Sequence, residues 1–448
     1  MRLALEDACR LLGCPIPARE VAASGVSIDT RTIEPGDLFF ALRGPSHDGH
    51  DFVVAAFEKG AAAAVVEKPV AVSGPLLPVG STQDALEKLA SWARRHWAGA
   101  VVAITGSTGK TTTKEATAAL LAAFMPTGKS SGNYNNHLGV PLSILNLPDQ
   151  ARAAVLELGM NHSGEIRRLA SVAAPEVGVV TNVGLAHAEN FDSIEGIAMA
   201  KRELIESLPP DGIAVLNADD ELVRRFAEVH PGKTIRFGIR CQAEVRAENI
   251  ALSPAGSRFT VSGVEFETSL PGRHNIMNLL AALAVARAFG MPLAAAREPV
   301  RQIEPARMRG ERVLCNGAVI WNDCYNSNPE AVKAMLDLMR ETAADRRIAV
   351  LGEMLELGRW AEDLHREVGT YAAASGVDVL IGISGAARHI VHAAKEAGMA
   401  DSAAFFCSQP EEAGERLRSV ARPGDLILFK GSRGTHVEQA LERFLSEK

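Results

Sequence analysis

The residues ITGSTGKTTTKE, 104–115, place a Gly-Lys-Thr triplet between an apolar run, VVAIT (101–105), and a helix-forming stretch from Lys114 to Phe124. That context suits a phosphate cradle. Glycines let backbone N–H groups approach an anion, and a helix N-terminus adds favourable partial charge. Gly106, Ser107, Thr108, Gly109, Lys110, Thr111 and Thr112 would then surround the phosphates. Lys110 would neutralise their charge and Thr111 would offer a hydroxyl to Mg2+. The usual loop asks for glycine where Ile104 stands, so the segment is a shortened variant or a turn that imitates one.

Other residues could join this chemistry. Glu157 closes the apolar run AAVLELG (153–159), where a carboxylate at a strand end can hold a metal beside phosphates. His187, in TNVGLAHAENF, follows another such strand end; alone, it reads equally as a hydrogen-bonded structural histidine. Lys201, in IAMAKRELIE, reads by default as a solvated helix lysine. Asn275 and Asn278 fall at a helix start, where capping is the plain reading. Asp323 ends GAVIWND and could hydrogen-bond a ribose. The following NDCYNSNPEA (322–331) has the composition of a strand–turn–helix step.

These residues need a scaffold, and the apolar runs outline one. From Val101 to Asn217 short buried runs alternate with polar helical segments, the pattern of a parallel α/β sheet, and it resumes beyond Arg312. Residues 234–270 read as a strand-rich insertion, and 271–290 as a helix. The N-terminal region has a first amphipathic helix, then VSIDTRTIEPGDLFFALRG (26–44) with strand and turn signals. Length, 448 residues, exceeds one core, and breaks near Ser81 and Gly310 divide the chain into 1–81, 82–310 and 311–448.

Composition excludes several classes. A formal charge of -7 with 5% aromatics argues against nucleic-acid binding. Six scattered cysteines without a Cys-x-x-Cys pair argue against structural zinc or a disulfide framework, and fit a reducing cytoplasm. Glu6 and Asp7 interrupt any signal-peptide core, and no run is long enough to span a bilayer.

The ordered set DTRTIEPGDLFFALRG, DGHDF, ITGSTGKTTTKE, GNYNNHLGVPLSIL, LELGMNHSGEI, TNVGLAHAENFDS, AKRELIESL, LNADD, GRHNIMNLLAAL, MRGER, NDCYNSNP, LGEMLELG and KGSRG resembles the Mur ligases of bacterial cell-wall synthesis over nearly the whole chain. The resemblance implies a shortened loop, Gly-x-x-Gly-Lys-Ser/Thr, which fits Gly106 to Thr111. It implies three α/β domains: a uridine-binding N-terminal domain, a central parallel-sheet P-loop ATPase domain and a Rossmann-like C-terminal domain. Lys110 would contact phosphates, Thr111 and Glu157 one magnesium, and His187 a second. Lys201 would be carbamylated to support that metal. Asn275, Arg309 and Asp323 match positions serving adenine, γ-phosphate and ribose, with Arg307 and Arg312 close enough to compete for the second role. Asp29, Thr30 and Arg31, with the Asp48–Asp51 turn, match the uridine-diphosphate region. Asn135 and Asn136 would face the muramoyl-peptide, and Lys430, Ser432 and Arg433 the incoming amino substrate.

The resemblance implies ATP-driven addition of D-alanyl-D-alanine to UDP-N-acetylmuramoyl-tripeptide by a cytoplasmic monomer, for peptidoglycan synthesis. Within the family, the runs Tyr325–Pro329 and Gly352–Gly358 point to the dipeptide-adding branch, and no Asp-Asn-Pro-Arg motif of the third-residue-adding branch occurs. That branch remains the nearest alternative. A P-loop kinase or NTPase acting on a small metabolite would share Lys110 and Thr111 but leave the N-terminal domain unexplained. A catalytically dead binding module would not need Lys110, Glu157, His187 and Lys201 together.

Overall fold

The computed structural model describes residues 3–16, 21–186 and 188–446. Its strands form where small and β-branched apolar residues run together, and four sheets result. A short antiparallel pair joins β1 (Leu3–Ala4) to β2 (Ala22–Ala23). A parallel N-terminal sheet follows in the order β3 (Gly25–Ser27), β4 (Asp37–Phe40), β5 (Ala63–Val66), β6 (Leu76–Pro78).

The central sheet contains β7 (Ala100–Thr105), β8 (Thr127–Lys129), β9 (Ala153–Glu157), β10 (Val177–Val180), β11 (Ile213–Asn217), β12 (Lys233–Gly238), β13 (Val245–Ser253), β14 (Gly256–Val261) and β15 (Val264–Thr268). Their spatial order is β15-β14-β13-β12-β11-β10-β7-β9-β8. All pairings up to β12–β13 are parallel; β13, β14 and β15 pair antiparallel. Residues 234–270 therefore extend the main sheet rather than form a separate insertion. Their strand signals were correct, but which edge they join is a long-range choice.

The alternation of β7 shows why the run is apolar throughout. Val101 and Ala103 enter one buried layer, Val102 and Ile104 the other. A strand covered on both faces needs apolar residues at every position. The helix Arg273–Ala288 lies in the second layer and is buried on nearly every side.

The C-terminal sheet contains β16 (Glu311–Cys315), β17 (Ala318–Asp323), β18 (Arg346–Gly352), β19 (Val379–Ile383), β20 (Ala404–Cys407) and β21 (Asp425–Lys430), ordered β16-β17-β21-β18-β19-β20. Only the β16–β17 pair is antiparallel. Among the described residues no helix is long and apolar enough to cross a membrane.

Side chains tie these elements together. Asn146 donates to the carbonyl of Val26 and accepts from its amide, both at 2.8 Å, and so imitates a strand partner for β3. Helix Thr82–His96, capped by Ser81 accepting from Asp84 N, carries the buried Arg94. Its guanidinium donates to the carbonyls of Ala173 (2.8 Å), Ala174 (2.9 Å), Trp97 (3.2 Å) and Gly99 (3.3 Å). Glu176 completes the knot, accepting from Arg94 and from Val101 N. One cation thus fixes the entry to β7. Arg94→Ala should cost about 3 kcal/mol of stability, since several buried carbonyls lose their donor together. Denaturant titration checks this, and an unchanged midpoint would contradict it.

Candidate active site

Strand order places the site. β7 lies between β9 and β10, and the chain crosses in opposite directions on leaving that centre. Ligands in such sheets bind beyond the carboxyl ends of the strands at the switch point. There the phosphate-loop residues follow β7, Glu157 ends β9, and Thr181 and Asn182 follow β10. A cavity of about 1480 Å3 opens over these ends and extends to Asp323, Tyr325 and Lys430 of the C-terminal domain.

The helix after the loop begins at Lys110, four residues earlier than its composition suggested. Gly109 stands at its N-cap with φ 79°, and a Cβ there would lie 2.1 Å from Asn278 Oδ1. Glycine is therefore required by backbone and by neighbour. Asn182 Oδ1 accepts from the amides of Ser107 (3.1 Å) and Thr108 (2.8 Å). Those two amides are thus committed to the protein. The amides of Gly109, Lys110 and Thr111 have no acceptor among the described residues and line the cavity, ready for an anion. Thr112 also lines it.

Lys110 Nζ donates to the carbonyls of Gly106 (2.7 Å) and Ser107 (3.3 Å). Burial lowers its pKa; Glu157 and Glu356 oppose the shift, and Arg309 adds to it. Thr111 Oγ1 donates to Glu157 Oε2 (2.8 Å), and Asn135 Nδ2 donates to Glu157 Oε1 (2.8 Å). A hydroxyl and a buried carboxylate in contact at the head of the cavity are the oxygen donors that a hard divalent cation takes, so this pair fits magnesium. Lys201 is buried, outside the cavity lining. Burial pushes its pKa well below the usual lysine value, and the charge of Lys110 adds to the effect. The solvated-lysine reading is therefore wrong. His187 lies outside the described residues.

Asn275 and Asn278 line the cavity, but neither caps a helix. The N-cap is Gly272, while Asn275 Nδ2 donates to Pro271 O (2.8 Å) and Asn278 Oδ1 accepts from Thr113 (3.3 Å). Arg309 sits 3.9 Å from the ring centroid of Tyr325, at the cavity wall. Asp323 and Lys430 end the parallel neighbours β17 and β21 as register partners, and Lys430 Nζ donates to Asp323 Oδ2 at 2.6 Å and to Asn326 O at 3.0 Å.

Several expected residues lie elsewhere. Asp29 is engaged with Arg31, and Thr30 O accepts from Lys59; none of Asp29, Thr30 and Arg31 lines this cavity. In the Asp48–Asp51 turn, His50 is buried, its Nε2 accepting from Glu67 N (2.8 Å) and its Nδ1 thereby donating to Asp48. Asn136 lines the cavity, but its Oδ1 accepts from Leu138 N and Gly139 N at the start of helix Gly139–Leu145. Ser432 is buried outside the cavity, donating to Ser327 O (3.4 Å) and accepting from Leu355 N (2.9 Å). Arg433, also outside it, pairs with Glu438 at 3.4 Å.

Reading the sequence for chemistry missed Thr181 and Asn182, which hold the loop: Thr181 Oγ1 donates to Thr108 O (2.6 Å) and Asn182 Nδ2 to Thr108 Oγ1 (2.6 Å). Their position just past a buried strand was the available signal. His274 was also missed. It lines the cavity beside the Asp323–Lys430 pair, and burial lowers its pKa from 6.5 to about 4, with Asp323 opposing and Lys430 adding to the shift.

These features define an α/β enzyme of three domains that handles a nucleotide at a phosphate loop. The chain belongs to the Mur ligase family. Models of that family match three stretches: the Mur ligase family catalytic domain at 22–94, the Mur ligase middle domain at 104–286, and the Mur ligase glutamate ligase domain at 308–433. The UDP-N-acetylmuramoyl-tripeptide--D-alanyl-D-alanine ligase of Escherichia coli (strain K12) is 35% identical over 443 residues, 96% of each chain. MurF from Acinetobacter baumannii superposes with a TM-score of 0.90 at 29% identity, covering 100% of this chain and 99% of that one. MurF ligase from Thermotoga maritima, solved in complex with ADP, gives 0.83 at 28% identity, with 94% and 96% covered.

The His274 environment makes a pH prediction. A folded-state pKa below the unfolded value stabilises the fold above about pH 6.5, and that contribution is lost as pH falls toward 4. An NMR titration of the histidines should find the His274 midpoint near 4, and a midpoint above 6 would contradict the shift.

Proposed function

We propose that this protein is an ATP-dependent amide-bond ligase that joins D-alanyl-D-alanine to UDP-N-acetylmuramoyl-tripeptide in peptidoglycan precursor synthesis. The observation that carries the reading is the meeting, in one cavity, of Lys110, the Thr111–Glu157 pair and the Asp323–Lys430 pair from another domain. End-to-end similarity to ligases bearing that name supports the substrates.

The chemistry follows from a poor electrophile. A carboxylate resists attack by an amine, so its oxygen first attacks the γ-phosphorus of ATP, the bond to ADP breaks, and an acyl phosphate forms. The amine of the dipeptide then attacks the acyl carbon; a C–N bond forms, the C–O bond to phosphate breaks, and the ammonium proton leaves to solvent. The open amides from Gly109 to Thr111 hold the phosphate chain, and Lys110 moves from its loop carbonyls to the transferring oxygens. Arg309 offsets charge on the γ-phosphate. Asn275 and Asp323 take adenine and ribose. Thr111 and Glu157 would hold magnesium, which would supply charge neutralisation at the phosphates, and His187 would hold a second such ion. Asp29, Thr30 and Arg31 remain assigned to the uridine end, Asn135 and Asn136 to the muramoyl-peptide, and Lys430, Ser432 and Arg433 to the amino-substrate region. The domain limits at 81/82 and 310/311, a cytoplasmic location and a monomeric state belong to the same proposal.

A substrate-matrix assay tests this. Phosphate should be released from ATP only with UDP-muramoyl-tripeptide and D-alanyl-D-alanine together, and Lys110→Ala should abolish release. Full turnover with UDP-dipeptide and diaminopimelate would sink the assignment.

Carbamylation of Lys201 is a separate part of the proposal. The neutral amine is the form that adds to CO2, and the burial that lowers the Lys201 pKa favours that form. Lys201→Ala should lower turnover by at least about a hundredfold, with partial recovery in added short-chain carboxylates. A fully active alanine variant would end the idea.

A further inference from the structure

A hydrogen-bonded path runs from the C-terminal domain to the phosphate loop through Glu330. Glu330 lies in the first turn of helix Pro329–Glu341, just behind the N-cap Asn328, whose side chain accepts from Ala331 N at 2.9 Å. From there Glu330 Oε1 accepts from the amide of Leu185, in the central domain, at 3.1 Å. The adjoining Gly184 faces the same carboxyl so closely that a methyl on it would lie 2.8 Å from Glu330 Cδ. Gly184 in turn exchanges two hydrogen bonds with the phosphate loop: its amide donates to Ser107 Oγ, and Ser107 Oγ donates to its carbonyl, each at 2.8 Å. Leu185 and Gly184 thus connect Glu330, on a helix of the last domain, to Ser107 in the loop of the middle one.

The other oxygen, Glu330 Oε2, is buried with no hydrogen-bond partner among the described residues. A half-buried carboxylate at the cavity edge that accepts one neutral N–H, its second oxygen unmatched, is a weak bond for a permanent interface, because desolvation offsets most of its gain. Such a contact is suited to being made and released. A second seam, where Glu189 N donates to Glu356 O (3.1 Å) and Arg359 to Asp192 O (2.8 Å), joins the same two domains through the segment beyond Leu185.

We propose that Glu330 is a positioning residue: its carboxylate docks the C-terminal domain on the Gly184–Leu185 step, and through Gly184 holds Ser107 and the phosphate loop in the geometry used for transfer. The inference rests on the ATP-dependent ligase reading. It assigns Glu330 no contact with substrate; its effect passes through Gly184.

The full-length variants Glu330→Ala, Glu330→Gln and Gly184→Ala, with the Glu330→Ala/Gly184→Ala pair, test it by two readouts. In small-angle scattering with a non-hydrolysable ATP analogue, Glu330→Ala and Gly184→Ala should show a larger radius of gyration than the parent. Glu330→Gln should not, because its amide carbonyl can still accept from Leu185. In the ligase assay, Glu330→Ala should lower kcat about tenfold with KM for ATP nearly unchanged. Adding Gly184→Ala to it should cost little more, since the methyl then meets no carboxyl. A parental radius in Glu330→Ala, or losses that simply multiply, would overturn the proposal. Scattering needs no turnover, so an inactive parent protein would count against the ligase reading alone.

Discussion

One oxygen, Asn182 Oδ1, accepts from two consecutive backbone amides, Ser107 and Thr108, and the phosphate loop depends on it. A loop that must present open amides to an anion cannot hold itself by those amides. Its fixing has to come from elsewhere, and here it comes from the end of β10. Thr181 takes the carbonyl of Thr108, Asn182 its hydroxyl, and Gly184 pairs with Ser107. The amides at the helix start are thereby left free without leaving the loop loose.

The same constraint explains the charges. Lys110, Lys201, Arg309 and Lys430 converge on one region in a chain whose net charge is negative. Burial lowers the pKa of both Lys201 and Lys110; the charge of Lys110 adds to the shift on Lys201, and that of Arg309 to the shift on Lys110. Glu157 opposes the shift on Lys110 and is divided between Thr111 and Asn135, while Asp323 pairs with Lys430. A polyphosphate entering this cavity would meet Lys110, Arg309 and the open amides of the helix start.

Topology makes the site a joint product of two domains. β17 and β21 bring Asp323 and Lys430 side by side, and the central sheet brings the loop opposite them. The geometry of such a site depends on how the two domains sit against each other.

The amino-acid sequence by itself determined the buried strands, the loop and the order of motifs that marks the family. These signals are local: an apolar run, a Gly-Lys-Thr triplet, a carboxylate or aspartate at a strand end. Glu157 and Asp323 were legible because a strand's length fixes where its last side chain stands. Tertiary structure alone decided what faces what. Asn182 reaches Ser107 across 75 residues, and Glu330 reaches Leu185 across 145; composition does not encode such pairings. It also set Ser432 and the Asp29–Arg31 group outside the cavity, and turned Lys201 from a surface lysine into a buried one. The physical reason is that a polar side chain's role is fixed by the partner that satisfies it when buried, and only the packing of the sheets determines which partner is near.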